Sequence, residues 1–240
     1  MVNFLKDFSE EDITYSLYGL LLGDGCYKKG WIQNLHTNKQ KFYCKWLESI
    51  FIECGQKVSS KYDFTFHTTF GDYEYSRVSI KVPNKTYFEN NNIFFNEEHK
   101  KIISDFVLNH INNFGLLLWF LDDGQLHVST KNKKTKRFGY LNTQSFTYDE
   151  NVQIKNMFKN RFDIDLEIHI NTSSTSTEKN KKYYRLYFNA ENFRKFFDLV
   201  RDYLPYIPKE FYYKFDMKYT PNRLKSSILF SELYDLNKLI

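Results

Sequence analysis

The sequence predicts an α+β fold built from two similar halves, and three observations support this prediction. An apolar segment that ends in Asp-Gly occurs twice, at Leu17–Gly25 and at Leu116–Gly124, the second aspartate lying 99 positions after the first. Each copy precedes a segment with helical character. Segments follow in which apolar and polar residues alternate, as they do in half-buried strands. Because a repeated segment with changed details indicates two copies of one structural unit, we expect the halves to be pseudo-symmetric.

The two Asp-Gly segments are predicted to be helices, each carrying an aspartate in its last turn. Ser9 is a candidate N-cap for the first helix, with Asp12 three residues later, and Asn112 or Asn113 precedes the second. A glycine in the left-handed conformation is expected to end each helix. Since both segments are apolar on nearly every side, both helices should be buried, each against the other.

Glycines in the first segment favour close packing of this helix pair. Gly19 and Gly23 lie four residues apart, and therefore on one helix face, where they would let a second helix approach closely. The second copy has Leu118 and Asp122 at these positions. The symmetry of the pair is therefore expected to be approximate.

In the first half, the motif precedes a predicted helix and two strands. The helix spans about residues 39–53, and the strands span residues 58–67 and 75–82. The alternation places these residues on the polar face of the strands: Lys57, Lys61, Asp63, Thr65, His67, Tyr75, Arg77, Ser79 and Lys81. One face of this sheet is therefore expected to be polar and partly basic.

The second half repeats this order of elements with a longer basic segment. A helix is predicted near residues 149–162, strands near 166–171 and 185–189, and a final helix near 191–203. The basic segment 131–137 stands where the first half has only residues 28–30. It is predicted to be a hairpin loop between strands.

Composition favours a globular protein with a polyanionic partner. The 34 basic and 29 acidic residues give a formal charge of +5, whose sign fits nucleic acid. The three cysteines form no CxxC pair, so neither a zinc knuckle nor a disulfide framework is indicated. The longest apolar segments are far too short for a membrane span, and the first residues show no signal-peptide pattern. A soluble intracellular protein without a membrane partner is expected.

These features resemble the LAGLIDADG homing endonucleases, specifically the single-chain group with two motifs. The resemblance covers about residues 11–218, and Trp119–Gly124 and Leu141–Thr147 are similar to segments common in that group. It implies two αββαββα halves, residues 1–108 and 109–218, packed through the motif helices. Their antiparallel, saddle-shaped sheets would cover double-stranded DNA, with the protein acting as a monomer. Residues 219–240 are predicted to be a helical extension.

Asp24 and Asp123 are the candidate metal ligands and catalytic residues. Phosphodiester hydrolysis needs an activated water and stabilisation of the phosphate and the leaving oxygen, which divalent ions provide. Two carboxylates at the negative ends of paired helices would repel each other unless a cation neutralises them. We expect two or more Mg²⁺ ions, with further oxygen ligands in the carbonyl groups of Gly23 and Asp122. The Asp122 side chain is a less favoured ligand.

The resemblance also implies a basic residue near each scissile phosphate. Lys100 and Lys101 are the candidates in the first half, and Lys209 and Lys214 in the second, with the choice left open in each pair. Gln144, a further catalytic candidate, and Asn142 are candidate polar groups for the water network near the metal, and the alternative role of both is strand hydrogen bonding.

DNA contacts are expected to spread over the polar strand faces and the basic loop. Arginine or lysine can recognise guanine in the major groove, and asparagine or glutamine can recognise adenine. The basic loop would contact phosphates. The candidates are Lys28, Lys61, Thr65, His67, Tyr75, Arg77, Ser79 and Lys81 in the first half, and Lys133, Lys134, Lys136, Arg137, Tyr140, Asn142, His169, Arg185, Tyr187 and Asn189 in the second.

The predicted function is Mg²⁺-dependent double-strand cleavage of a long asymmetric DNA target, promoting the mobility of an intron or gene. If each half covers about one helical turn, the target spans about 20 bp. One alternative is an RNA maturase that assists splicing of a group I intron, with intron RNA as its partner. Another is a cleavage-inactive DNA-binding protein. An intein is not expected, because the chain lacks the terminal nucleophile and the His-Asn pair that protein splicing requires.

Overall fold

The computed structural model describes residues 6–68, 71–85, 88, 93–96, 100–131, 134–172 and 182–215. The chain forms two compact units, Met1–Asp122 and Asp123–Ile240. The domain limits predicted from the sequence stay predictions, and residues 219–240 lie outside the described residues. Within the described part of the chain, no helix combines the length and the apolar character that a membrane crossing needs.

The first unit has the predicted order of helices and strands. Its elements are α1 (Glu10–Leu22), β1 (Cys26–Lys28), β2 (Trp31–Thr37), α2 (Lys41–Glu53), β3 (Val58–Thr68), β4 (Gly71–Lys81), α3 (Asp105–His110) and α4 (Asn113–Asp123), whose last residue opens the second unit. The four strands form an antiparallel sheet in the order β1-β2-β4-β3. Helix α2 covers one face of this sheet, where Tyr43, Leu47 and Phe51 are fully buried.

The second unit repeats this arrangement. Its elements are β5 (Gly124–Lys131), β6 (Lys134–Leu141), α5 (Tyr148–Phe162), β7 (Glu167–Thr172), β8 (Lys182–Phe188) and α6 (Ala190–Val200). The sheet order, β5-β6-β8-β7, is again antiparallel. Phe158, Phe188 and Phe196 from α5, β8 and α6 pack together beneath it. The predicted α+β class with two αββαββα halves is confirmed, whereas the saddle shape stays a prediction.

The helices begin where local side chains satisfy their first amide groups. Ser9 and Asp12 form a capping box at α1, as do Thr147 and Glu150 at α5. Asn112 is the cap of α4, since its side-chain oxygen accepts from the amide of Gly115 at 2.8 Å. These contacts replace hydrogen bonds that the first turn of a helix otherwise lacks. The predicted N-caps are therefore confirmed, with Asn112 rather than Asn113 at the second motif.

The motif helices α1 and α4 approach each other closely. A Cβ atom at Gly19 would lie 1.8 Å from the carbonyl oxygen of Gly115, so the two backbones meet at this crossing. The Asn112 side chain donates to the carbonyl of Asp12 at 2.8 Å and holds the start of α4 against α1. The predicted packing of the two helices is confirmed. The glycine that α4 contributes to this crossing is Gly115. It lies just before the repeated segment Leu116–Gly124, so alignment of the two segments does not identify it.

The glycine that follows each motif aspartate does not have the left-handed conformation predicted for it. Positive φ among the described glycines occurs at Gly30, Gly55 and Gly71, and not at Gly25 or Gly124. The amide of Gly25 instead donates to the carbonyl of Leu20 at 2.8 Å. A Cβ atom at Gly25 would lie 2.4 Å from the same oxygen. Close approach to helix α1, rather than a left-handed turn, therefore requires glycine here.

The basic segment 131–137 is not the hairpin loop that was predicted. Strands β5 and β6 remain paired as far as Lys131 and Lys134, so the connection is only two residues long. Lys136 pairs with Ser129 and Arg137 pairs with Val128, which places Lys136 and Arg137 on opposite faces of the sheet. Lys133 and the side chain of Lys134 lie outside the described residues.

A β-bulge reverses the predicted faces of strand β3. Its register against β4 shifts between Lys61 and Phe64, and Asp63 has a φ of 52°. After the shift, Phe64 pairs with Tyr75, and Phe66 pairs with Tyr73. The prediction that Thr65 and His67 share a face with Lys61 is therefore wrong, because one extra residue at the bulge moves each following side chain to the other face.

Candidate active site

Three polar side chains meet at the end of helix α1. The Asp24 carboxylate follows α1, His36 lies on β2, and Asp122 is the penultimate residue of α4. The His36 ring lies between the two carboxylates, with Nδ1 3.9 Å from Asp24 Oδ2 and Nε2 4.0 Å from Asp122 Oδ1. One ligand atom from each side chain lies within 4.8 Å of the other two. We call these residues the Asp-His-Asp cluster.

The three members differ in their exposure. The Asp24 side chain is 55% exposed, whereas the side chains of His36 and Asp122 are 5% and 0% exposed. Gly23 makes room for the buried carboxylate, because a Cβ atom there would lie 2.5 Å from Asp122 Oδ2. The same Oδ2 accepts from the backbone amide of Asp24 at 3.2 Å. Asp122 therefore fixes the backbone that carries the exposed Asp24.

Two buried side chains on helix α2, Tyr43 and Cys44, are affected by the negative charge of Asp122. Burial of the Tyr43 hydroxyl and, to a lesser extent, the negative charge of Asp122 raise the pKa of Tyr43 well above its usual value. The same two causes raise the pKa of Cys44 to about 12. Both groups therefore stay neutral at physiological pH, so neither adds a further negative charge beside the cluster.

The donor set of the Asp-His-Asp cluster fits a divalent cation. Separations of 3.9 and 4.0 Å are too long for direct hydrogen bonds. They are compatible with atoms that share an ion, since metal–ligand bonds to carboxylate and imidazole are about 2.0–2.2 Å. The Asn34 side-chain oxygen is buried without a hydrogen-bond partner among the described residues, and its amide group lies 3.5 Å from Asp122 Oδ2. A buried acceptor beside two carboxylates is a favourable environment for positive charge.

Lys101 lies at the same end of helix α1. Its ammonium group donates to the carbonyl oxygen of Gly23 at 2.6 Å. Lys100 is exposed, and its backbone amide bonds to the side chain of Asn96. The structure thus brings the Lys101 ammonium group to the motif. It also gives the Gly23 carbonyl, which the sequence offered as a metal ligand, a cationic partner within the protein.

In the second unit, Asn142 holds the motif backbone at Asp123. Its side-chain and backbone amides donate to the carbonyl of Asp123 at 2.9 and 3.0 Å. This contact agrees with the alternative of backbone hydrogen bonding for Asn142, whereas its places in the water network and in the DNA-contacting set stay predictions. Gln144 is exposed in the turn before α5. Among the described residues, no contact joins Gln144 to the motif in support of its predicted place in a water network.

The two lysine candidates of the second unit differ in environment. Lys214 is only 6% exposed, and its ammonium group lies 5.5 Å from the centre of the Phe211 ring. Lys209 is exposed. Both belong to the 3-10 segment Lys209–Phe215, which packs against β5, the strand that directly follows Asp123. A buried lysine needs nearby compensation, so Lys214 is the more constrained of the two.

The face of the first sheet opposite to α2, here called the first outer face, is basic. The strand register places Lys28, Lys61, Arg77 and Lys81 on it. In the described strands of this sheet no carboxylate lies on that face, since the register puts Asp72 and Glu74 on the other side and Asp63 binds Lys41. Tyr75 and Ser79 also belong to the outer face, although Ser79 is buried.

The corresponding face of the second sheet, the second outer face, carries a cluster of rings. His169 stacks on Tyr187 with a centroid distance of 4.6 Å, and the Arg185 guanidinium lies 3.8 Å from the centre of the Tyr140 ring. These four predicted residues therefore share one face, as the alternation indicated. His127 and Phe138 extend the cluster and were missed, because their strands were not delineated from the sequence.

Asn189 has a structural role that the sequence did not predict. It follows β8 and caps helix α6, its side-chain oxygen accepting from the amide of Asn192 at 2.9 Å. This bond uses one lone pair of the oxygen that adenine recognition would use. The oxygen has a second lone pair, so the DNA-contacting role of Asn189 stays a prediction.

Comparison with known proteins identifies the family of the chain. The profile of the LAGLIDADG DNA endonuclease family matches residues 15–196, which include both Asp-Gly motifs and both sheets. The chain belongs to this family. The family resemblance predicted from the two motifs is thereby confirmed.

Relatives of this LAGLIDADG chain match it over most of its length. A probable intron-encoded endonuclease of Wickerhamomyces canadensis is 29% identical over 223 residues, which are 88% of this chain and 89% of the relative. An uncharacterised protein of Methanocaldococcus jannaschii is 28% identical over 214 residues, covering 85% and 74%. The homing endonuclease I-WcaI bound to its DNA recognition sequence matches with a TM-score of 0.63 and 26% identity, covering 86% of both chains.

His36 is the site residue of this LAGLIDADG chain that sequence reasoning missed. It lies on β2, whose inward-facing residues are Ile32, Asn34 and His36. Two polar residues at buried positions of a strand are costly unless they have partners or a function. This signal was present in the sequence, but it depends on knowing which face of β2 is buried.

Proposed function

We propose that this protein is a homing endonuclease that cuts both strands of a long asymmetric DNA site, using divalent metal ions, preferably Mg²⁺. The observation that carries the proposal is the half-exposed Asp24 carboxylate, held at the end of a motif helix beside buried Asp122 and His36. Membership of the LAGLIDADG DNA endonuclease family supports this assignment. Cleavage at one genomic site would promote the mobility of the intron or gene that encodes the protein.

In this proposal, Asp24 and Asp123 are the principal ligands and Asp122 is a positioning residue. Asp122 holds the Asp24 amide through a 3.2 Å hydrogen bond, so it orients the exposed carboxylate without itself reaching solvent. Asn142 does the equivalent for Asp123 by binding its carbonyl group. A divalent ion bound there supplies Lewis-acid activation of water and neutralises charge on the phosphate.

Two lysines are proposed to stabilise charge on the scissile phosphates. Lys101 reaches the motif in the first unit, and Lys214 is the constrained lysine of the second. Replacing either by methionine should lower the cleavage rate about 10²- to 10³-fold, the effect of removing one preorganised donor. Lys100→Met and Lys209→Met are the matched controls and should cut at nearly the wild-type rate.

Recognition is assigned to the two outer faces, which differ in composition. The first carries four basic residues, and the second carries stacked rings with Arg185. A cationic strand surface suits the phosphate backbone, and the arginines suit guanine edges in the major groove. Because the faces differ, the target should not be palindromic.

The proposal is tested by selection of cut sites. The protein is incubated with a library of randomised duplexes and Mg²⁺, and the newly formed ends are sequenced. One enriched, asymmetric site with breaks in both strands is expected. If a folded, DNA-binding protein produces no enriched ends, the endonuclease assignment is wrong, and tight binding of group I intron RNA in a separate binding assay would then favour a maturase.

Substitutions of the carboxylates test their separate roles. Asp24→Asn and Asp123→Asn should each abolish double-strand cutting and leave DNA affinity largely unchanged. Asp149→Asn, which changes an exposed aspartate in the first turn of α5, is the control. Asp122→Asn distinguishes the two ligand sets. If Asp122→Asn removes cutting as completely as Asp24→Asn, while Asp123→Asn still cuts, the ligands are those of the Asp-His-Asp cluster.

A further inference from the structure

The β-bulge in β3 creates an aromatic patch on the first outer face. Beyond the register shift, Phe64 lies directly opposite Tyr75, and Phe66 lies directly opposite Tyr73. We call these four residues the aromatic patch. The Phe66 ring lies 5.5 Å from Phe64 and 5.3 Å from Tyr75, so these three rings form one continuous surface, and Tyr73 adjoins them as the cross-strand partner of Phe66. Without the bulge, alternation would have placed both phenylalanines on the opposite face.

The aromatic patch is unusually accessible for residues of this kind. Phe66 is 46% exposed and Tyr73 is 45% exposed, although both belong to paired strand segments, two residues from the hairpin end of β3 and β4. Adjacent exposed rings on a protein surface indicate a site of interaction, because leaving them in water forgoes the free energy of apolar burial. We therefore expect the aromatic patch to bind a partner that has apolar groups.

The charges around the patch favour nucleic acid as that partner. Lys61 and Arg77 are paired neighbours on the same face, and the Lys61 ammonium lies 5.0 Å from the centre of the Phe64 ring. The acidic residues of this hairpin lie elsewhere, with Asp72 and Glu74 on the opposite face. The phosphates of a DNA duplex are attracted by basic residues and repelled by carboxylates. The described strands of this face carry basic residues and no carboxylate, which fits a duplex. A protein partner would require neither condition.

The apolar group that a duplex offers in its major groove is the 5-methyl group of thymine. We propose that the aromatic patch contacts thymine methyl groups in the part of the target beneath the β3–β4 hairpin, an inference that rests on the proposed function. Phe66 and Tyr73, the most exposed members, make these contacts. Lys61 and Arg77 bind phosphate or guanine beside them. The first half of the protein thus selects thymine through shape and apolar contact as well as hydrogen bonding.

Replacement of thymine by deoxyuridine tests the proposal, because it removes the methyl group and leaves base pairing unchanged. The selected target is synthesised with uracil at one thymine position at a time. Affinity is measured for the full-length protein without divalent ions, so that no cleavage occurs. Uracil at one to three positions should weaken binding about fourfold each, the effect of losing one buried methyl group.

Variants assign the effect to the patch. Phe66→Ala and Tyr73→Ala should bind the thymine duplex more weakly and should no longer distinguish uracil from thymine at one or more of those positions. Ile52→Ala is the matched control, since Ile52 is an exposed apolar residue, 52% accessible, on α2 of the same unit. It should keep the full difference. Sedimentation of each variant reports self-association.

Three results would overturn the proposal. Wild-type protein could bind every uracil duplex as tightly as the parent, or Phe66→Ala could keep the whole uracil penalty. A loss of dimer in Phe66→Ala with unchanged DNA affinity would show that the patch binds a second copy of the chain. Failure of the proposed function is distinct, because then no duplex is selected at all, whereas failure of this inference leaves a selected duplex without methyl discrimination.

Discussion

Alanine at Gly19 should separate the two motif helices. The added Cβ would lie 1.8, 2.5 and 2.8 Å from three backbone atoms of Gly115. Packed heavy atoms need about 3.5 Å, so α1 and α4 must move apart by more than about 1 Å. The neighbour is backbone and cannot rotate away. Overpacking costs about 1–3 kcal/mol and sometimes more, while alanine in a helix recovers about 1 kcal/mol relative to glycine.

The expected net effect of Gly19→Ala is a loss of about 2 kcal/mol from the free energy of unfolding, because the contact is at the severe end of the overpacking range. Urea unfolding followed by circular dichroism measures it. Gly55→Ala is the control, since a Cβ atom at Gly55 would meet nothing within 4 Å and the φ of 80° is the main source of strain. That strain costs about 1–2 kcal/mol, with no effect on the helix pair.

Gly19→Ala should also lower the rate of DNA cleavage. A displacement of about 1 Å at the end of α1 moves Asp24, and such misplacement of a catalytic group can lower a rate about 10²-fold. Gly55→Ala should cut at the wild-type rate on a selected target. If Gly19→Ala is as stable as the wild type, or gains the roughly 1 kcal/mol of helix propensity, then the helices do not approach as closely as Gly19 and Gly115 indicate.

Three other predictions concern single groups. Asn142→Ala removes both the side-chain contact to the Asp123 carbonyl and its positioning effect, so cleavage should fall about tenfold with DNA affinity unchanged; an unaltered rate in a single-turnover assay would contradict this. The two lysines that pair with Asp163 lower its pKa to about 2. The stabilising effect of ionised Asp163 is therefore complete above its ordinary pKa of 3.8 and is lost as pH falls towards 2. The difference in melting temperature between the wild type and Asp163→Asn should shrink over this range. A difference that stays constant would argue against the ion pairs. Cys26 is exposed, whereas burial raises the pKa of Cys44 to about 12, so iodoacetamide should label Cys26 rapidly and Cys44 only after unfolding, as mass spectrometry would show.

Features that depend on local sequence could be predicted. The predicted cap Ser9 acts on an amide three residues away, and the apolar helices can be inferred from segments of about ten residues. The sequence pattern places a helix near residue 149, although it does not identify Thr147 as the cap. The strands 58–68 and 71–81 were likewise recognised within a few residues of their observed limits. The alternation of apolar and polar residues was therefore sufficient to locate these strands, although it did not assign the faces of β3 beyond the bulge.

Features that depend on tertiary contacts could not be predicted. The alternation around Asp63 is regular in sequence, and the bulge becomes evident only where Asp63 binds Lys41 on α2 and Asn38 before it. His36 was missed because polar residues on β2 face inward, reversing the usual pattern. Gly115 lies one position before the aligned motif and is identified only by its contact with Gly19. In each case a residue distant in sequence decides the outcome.

Two arginines on the outer faces, Arg77 of β4 and Arg185 of β8, show how the two units differ. Arg77 pairs with Leu35 and Lys61 in the first sheet, and Arg185 pairs with His169 in the second. Arg185 lies over the Tyr140 ring at 3.8 Å, which fixes its guanidinium before any ligand binds. The strand partners of Arg77 are aliphatic or cationic and provide no such platform. An arginine that is already ordered loses less side-chain entropy on binding. The second outer face is therefore suited to binding with Arg185 in one conformation, whereas Arg77 on the first outer face can change its conformation beside the exposed rings.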